Sequence, residues 1–141
     1  MKLTHENILK VYQIFEDSTE ICYLVEYCEG GSLWDALNYI KGRKFSEKEA
    51  TSIVLEISKA LEVLHKNGIT HRDIKPENIL LTREFEDGVI PGIKLADFGL
   101  STNKSLMETI AGTKEYIAPE QIKKEKYTKA VDMWALGIIY D

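Results

Sequence analysis

The chain is poor in cysteine, has no long apolar run and carries no excess of basic charge. Its two cysteines, Cys22 and Cys28, form neither a Cys-x-x-Cys pair nor a metal-type Cys/His spacing, which excludes a disulfide scaffold and a zinc module. They are expected as reduced, buried thiols of a cytoplasmic or nuclear protein. Eighteen Lys and Arg stand against 23 Asp and Glu, a net charge of −5, so a nucleic-acid surface is not expected. Apolar runs such as Ile138-Ile139-Tyr140 are far short of membrane-spanning length. The start, Met1-Lys2-Leu3-Thr4-His5-Glu6, turns polar at once and lacks the apolar core of a signal peptide. With 141 residues, 44% of them hydrophobic and 29% charged, one soluble globular domain is expected and two are not. No internal repeat, low-complexity tract or linker interrupts it.

Taken in order, residues 8–15 and 21–27 read as two strands around the polar turn Asp17-Ser18-Thr19-Glu20, an antiparallel hairpin. A hairpin alone is marginal in water and must lean on something. Gly30-Gly31 breaks the chain. Ser32, with Asp35 three residues on, predicts the N-cap of a short helix through about Lys41.

A longer helix is predicted over 47–66. Ser46 and Glu49 make a capping-box pattern, and Asn67-Gly68 ends it. Ala50, Ile53, Val54, Ile57, Ala60, Leu61 and Leu64 recur at helical spacing and form one apolar stripe. That stripe is core and carries no chemistry. Short strands are expected at 79–81 and 93–96, joined by a solvated connection from Thr82 to Gly92. Residues 100–117 lack periodicity and read as a long loop. A short helical piece is expected from Pro119, and an apolar helix from Lys129 to Tyr140.

The chemistry concentrates in His71-Arg72-Asp73-Ile74-Lys75-Pro76-Glu77-Asn78. Pro76 excludes a helix interior there and biases Lys75 toward extended backbone, so a carboxylate, an ammonium and a carboxamide can face one site. This octapeptide resembles the catalytic loop of eukaryotic protein kinases. Asp97-Phe98-Gly99, Gly112-Thr113 with Tyr116-Ile117-Ala118-Pro119-Glu120, and Asp132-x-Trp134-x-x-Gly137 follow in the order of that family's motifs. The likeness runs through nearly the whole chain from His5-Glu6-Asn7-Ile8. Phe15-Glu16-Asp17, Phe45-Ser46-Glu47 and Asp97-Phe98-Gly99-Leu100-Ser101 bring it nearest to the calcium/calmodulin-dependent group and its calcium-dependent relatives. No EF-hand loop and no calmodulin-binding helix occur in the chain.

The resemblance implies an α+β, protein-kinase-like fold in part. Residues 1–28 would be the end of the small lobe and the hinge, and 29–141 part of the mainly helical large lobe. It implies transfer of a phosphoryl group from Mg-ATP to a serine or threonine hydroxyl of a protein substrate. Asp73 would orient the hydroxyl and accept its proton. Lys75 would neutralise charge on the transferring phosphate, and its place two residues after the aspartate is that of the Ser/Thr-specific subfamily. Asn78 and Asp97 would be Mg²⁺ ligands. Glu26 and Cys28 would be hinge residues for adenine, with Val25 guarding the back of the pocket and Leu80 on its floor. Lys75, Glu77, Asn78 and Asp97 would complete the ATP site. His71, Phe98 and Val11 would belong to the hydrophobic stack of the active arrangement, and Asp132 would hold the catalytic loop by its backbone N–H groups.

Regulation is implied as well. Arg72 would pair with an activation-loop phosphate supplied by an upstream kinase. Thr109 stands where related kinases carry that phosphate, with Ser101, Thr102 and Ser105 as further hydroxyls. Thr113 would bond Asp73 and Lys75 and favour Ser/Thr substrates. Glu77 would attract a basic substrate residue, although Ser32 replaces the second acid of many basic-directed kinases.

Three of the family's features are missing from these residues: the glycine-rich phosphate loop, the strand lysine and the glutamate that pairs with it. The expectation is therefore a kinase domain truncated at both ends, with negligible activity for this stretch alone and an exposed hairpin edge. Two alternatives are a non-catalytic kinase-like binding module and a small-molecule phosphotransferase. The intact Asp73, Lys75, Asn78 and Asp97 speak against the first. The platform from Gly112 to Glu120 speaks against the second.

Overall fold

Helix α2, Glu47–Lys66, organises the packing. The computed structural model describes residues 3–40, 42, 44–86, 88–98, 101–104, 107 and 111–141. α2 begins where Ser46 Oγ accepts from Glu49 N and the Glu49 carboxylate accepts from Ser46 N, the reciprocal cap that its sequence announces. It ends at Asn67. Ile53, Ile57, Ala60, Leu61 and Leu64 are fully buried along one stripe, each large aliphatic contributing about 1.5–3 kcal/mol by leaving water. That stripe packs against β4 (Ile93–Leu95) and α4 (Ala130–Tyr140).

Before α2 come a hairpin, β1 (Val11–Glu16) and β2 (Ile21–Val25), and the short helix α1 (Leu33–Tyr39), which Ser32 and Asp35 cap. After α2, β3 (Ile79–Leu81) pairs antiparallel with β4, Ile79 opposite Leu95 and Leu80 opposite Lys94. A short helix α3 (Pro119–Ile122) then leads to α4. Among the described residues the two sheets have two strands each, and no helix is long and apolar enough to cross a membrane.

The predicted first strand is divided in the structure. Asn7 O accepts from Leu95 N and Leu9 N donates to Leu95 O, so residues 7–9 run beside β4. Ile8 is buried there, and only from Val11 does the chain pair with β2, with an irregularity between Val11 and Gln13. The short helix stops at Tyr39, and β2 stops at Val25 where the backbone of Glu26 turns to Lys10.

The expectation of two buried thiols is corrected: Cys22 is exposed and Cys28 half-buried. Cys22 lies on a hairpin whose residues from Tyr12 to Val25 face solvent on both sides, Ile14 and Phe15 being more than half exposed. The described residues between 101 and 117 hold more structure than their composition suggests. Thr102 exchanges two backbone hydrogen bonds with Thr70, and Met107 two with Tyr127. Met107, Ala118, Tyr127 and Val131 form a second small core.

Candidate active site

The loop after α2 is held from below by a buried carboxylate. Asp132, at the start of α4, accepts from His71 N (2.9 Å) through Oδ2 and from Arg72 N (2.8 Å) through Oδ1. His65 Nε2, at the end of α2, donates to the same Oδ2 at 2.8 Å. The charge is thereby solvated by three donors in a place without water access. Nothing in the sequence singles out His65, because a polar or basic residue in the last turn of a helix is ordinary.

His71 is fully buried. Its Nδ1 accepts from Asp73 N (3.2 Å), which leaves Nε2–H to donate to Ala96 O (3.0 Å) and fixes the tautomer. Burial holds its pKa below the usual imidazole range, against the pull of Asp132, Asp73 and Asp97. Its ring meets Phe98 edge-on at 5.0 Å. Phe98 and Val11 line one cavity of about 570 Å³ with Ile8, Leu64 and Ile69.

On this support four polar side chains converge. Thr113 donates to Asp73 Oδ1 from both its backbone N (2.9 Å) and its hydroxyl (2.8 Å). Asp73 Oδ2 receives Asn78 Nδ2 (3.0 Å) and stands 3.2 Å from Lys75 Nζ. Lys75 Nζ also donates to Thr113 Oγ1 at 2.7 Å. Burial pushes the Asp73 carboxyl up, but Thr113, Lys75 and Asn78 outweigh it and the net shift is down. All four acceptor positions of the carboxylate are filled. For Asp73 to receive a hydroxyl proton, one donor has to give way, and Lys75, on its flexible stem, is the group able to do so.

Asn78 Nδ2 is spent on Asp73 O and Oδ2, which points its side-chain Oδ1 the other way; the next bond is made by its backbone carbonyl. Asn78 O accepts from Ala96 N at 2.9 Å, so Asp97 follows directly beside Asn78. Asp97 is exposed and has left-handed backbone at φ 59°; half-buried Arg72 has the same backbone at φ 70°. Such backbone outside glycine is uncommon and clusters where geometry is imposed by the surroundings. Among the described residues no group of three or more His, Cys, Asp or Glu is arranged as a metal cage. One carboxylate and one carboxamide oxygen fit a Mg²⁺ ion that takes the rest of its shell from phosphates and water.

The remaining expected residues lie on either side. Leu80, on β3, is bridged by Ser32, and Gly31 O accepts from Leu81 N, which brings the segment after Cys28 alongside β3. Glu26 and Cys28 sit at that edge. Burial first, and then the Glu26 carboxylate, push the Cys28 thiol up. Glu77 is exposed and lies toward Tyr116, whose phenol is pushed up by burial and then by Glu77 and Glu115. Arg72 stays at the loop, its carbonyl against Gly112. Thr109 and Ser105 fall outside the described residues, as do Gly99 and Leu100.

Comparison with known proteins agrees with this geometry. The family model of the protein kinase domain matches residues 1–140. Human calcium/calmodulin-dependent protein kinase type IV is 42% identical over 142 residues, covering 99% of this chain and 29% of that protein. The mouse serine/threonine-protein kinase DCLK3 is 41% identical over 140 residues, covering 97% and 17%. The zebrafish (Danio rerio) serine/threonine-protein kinase H1 homolog is 39% identical over 143 residues, covering 98% and 33%. The chain thus spans a third or less of the length of each. A catalytic-loop carboxylate fixed by Thr113, Lys75 and Asn78, and a match to the family model from end to end, mean that this chain belongs to the protein kinase domain family.

Proposed function

We propose that the protein containing these residues is an ATP-dependent serine/threonine kinase, and that residues 1–28 and 29–141 contribute the hinge side and the catalytic side of its active site. The single observation carrying this is the Asp73–Thr113–Lys75–Asn78 constellation. Asp73, kept ionised by its donors, orients the incoming hydroxyl and takes its proton. Lys75 moves from Asp73 and Thr113 toward the transferring phosphate and neutralises its charge. Phosphoryl transfer asks mainly for such positioning and charge stabilisation.

Asn78 Oδ1 and Asp97 would hold Mg²⁺, which when bound supplies charge neutralisation on the nucleotide phosphates. Glu26 O and Cys28 N would meet the adenine edge above Leu80. Arg72 beside the activation segment supports control by a phosphate on Thr109 from an upstream kinase, and Glu77 with Tyr116 supports reception of the protein substrate.

The test uses the native protein, captured from its source with an antibody to residues 82–92 and supplied with labelled ATP and a serine/threonine peptide. Label transfer is expected, and Asp73→Asn expressed in the same setting should abolish it. Transfer that survives Asp73→Asn overturns the proposal.

A further inference from the structure

We infer that Lys94 is a positioning residue of the nucleotide site: its ammonium, 3.1 Å from Glu26 Oε2, sets the backbone that would receive adenine against the strand that leads to Asp97. The inference rests on the kinase reading above and adds to it a residue which that reading leaves unused.

The geometry is specific. β3 and β4 turn Ile79, Leu81, Ile93 and Leu95 into the core, all of them essentially fully buried. Leu80 and Lys94, directly opposite each other, share the other face. That is the face on which Leu80 would support the adenine. A lysine ordinarily stands free in solvent, but this one is largely covered: its side chain is 16% exposed and that of Glu26 19%.

Glu26 is itself doubly fixed. Its Oε1 accepts from Lys10 N at 2.6 Å, and its own N donates to Lys10 O at 2.9 Å. The carboxylate therefore joins three pieces of chain: the start of β1, the turn that follows β2, and β4. Lys94 also acts on Cys28, opposing the rise of its thiol pKa. A single ammonium thus stands within electrostatic reach of both Glu26 and Cys28. Three residues further along lies Asp97. Removing the ammonium leaves a part-buried carboxylate without its counter-charge next to the adenine edge. The Glu26–Cys28 backbone is then free to shift relative to Asp97.

The experiment measures Mg-ATP and Mg-GTP affinity by competition against a fluorescent ADP, on the native full-length protein. Adenine and guanine present opposite donor and acceptor patterns to a fixed backbone, so their ratio reports hinge placement and is insensitive to a general loss of structure. Lys94→Gln should weaken ATP about tenfold and GTP much less, while kcat at saturating ATP stays within about twofold. Lys94→Arg should retain the wild-type ratio. Glu26→Gln should match Lys94→Gln, and the double variant should be no worse than either single one, as expected of one shared interaction. Equal loss of ATP and GTP, an unchanged ATP affinity, or additive effects of the two changes each overturn the inference. Failure of the wild type to bind ATP overturns the kinase reading itself and this inference with it, an outcome distinct from the others.

Discussion

Thr113 holds Asp73 twice through one oxygen, its backbone N–H and its hydroxyl reaching Oδ1 at 2.9 and 2.8 Å. The same hydroxyl accepts from Lys75, so one side chain sets the spacing of the Asp73 carboxylate and the Lys75 ammonium. Thr113→Val keeps the shape and the backbone bond and deletes the link. The kcat for peptide phosphorylation should fall roughly a hundredfold, the scale of misplacing a reacting group by about 1 Å, with the KM for ATP far less affected. Thr113→Ser should keep most of the rate. Steady-state kinetics on the native protein decide it, and a Val variant close to wild type contradicts the link.

Asp132 carries the catalytic loop from beneath, and its fully buried carboxylate has His71 N, Arg72 N and His65 Nε2 as donors. Asp132→Ala leaves two backbone N–H groups and an imidazole N–H unpartnered in the interior. A loss of several kcal/mol is expected, since each buried donor left without an acceptor costs about 1–3 kcal/mol. Urea unfolding of the two forms measures it. His65→Phe, which removes one of the three donors, should lose clearly less.

What the sequence makes legible here is local. α2 runs over the residues its capping box and apolar stripe specify, because cap and stripe lie within twenty residues of each other. The convergence of Asp73, Lys75 and Asn78 is likewise local, set by a proline-containing loop. The contacts that position the site are not. His65 meets Asp132 across 67 residues, Asn7 meets Glu56 across 49, and Glu49, beyond its capping role, accepts from Gly88 N across 39. Periodicity and propensity carry no trace of such pairs, since each partner has an ordinary local reason to be polar. The division of the first strand is hidden for the same reason: Ile8 is as apolar as Ile14, and only the arrival of Leu95 beside it separates the buried residue from the exposed one.

Gly112 packs the segment that carries Thr113 against the catalytic loop. Its φ is +107°, and a Cβ there would press into the carbonyl oxygen of Arg72, which is backbone and cannot swing aside. Gly112→Ala should therefore push residues 112–113 away from Asp73 and lengthen both Thr113 bonds. The expected outcome is a fall in kcat of at least about tenfold with a smaller change in overall stability. A control at Gly42, which also has positive φ but open space around it, should leave the rate unaltered. Equal kinetics for the two alanine variants would refute the contact.

His71 predicts how stability responds to acid. Burial keeps its folded pKa below the usual 6.5, while the unfolded chain retains an ordinary imidazole. Below about pH 6.5 the unfolded state therefore binds a proton that the folded state refuses. Its contribution is fully present above that pH and is lost progressively as the pH falls toward the folded value. Asp73 adds a second, more acidic phase: its folded pKa is depressed, so its contribution persists until the pH drops through the ordinary carboxylate range near 4 and below. Urea unfolding between about pH 7.5 and 5 should show stability declining with acid, and the slope should shrink in His71→Gln even though that variant is less stable throughout. Nitrogen NMR of the histidine rings gives the direct readout. At about pH 6 the His71 ring should still be the neutral form protonated at Nε2, as required for its bond to Ala96 O. A His71 ring that is mostly doubly protonated at that pH would mean that Asp132 and Asp97, not burial, set its charge.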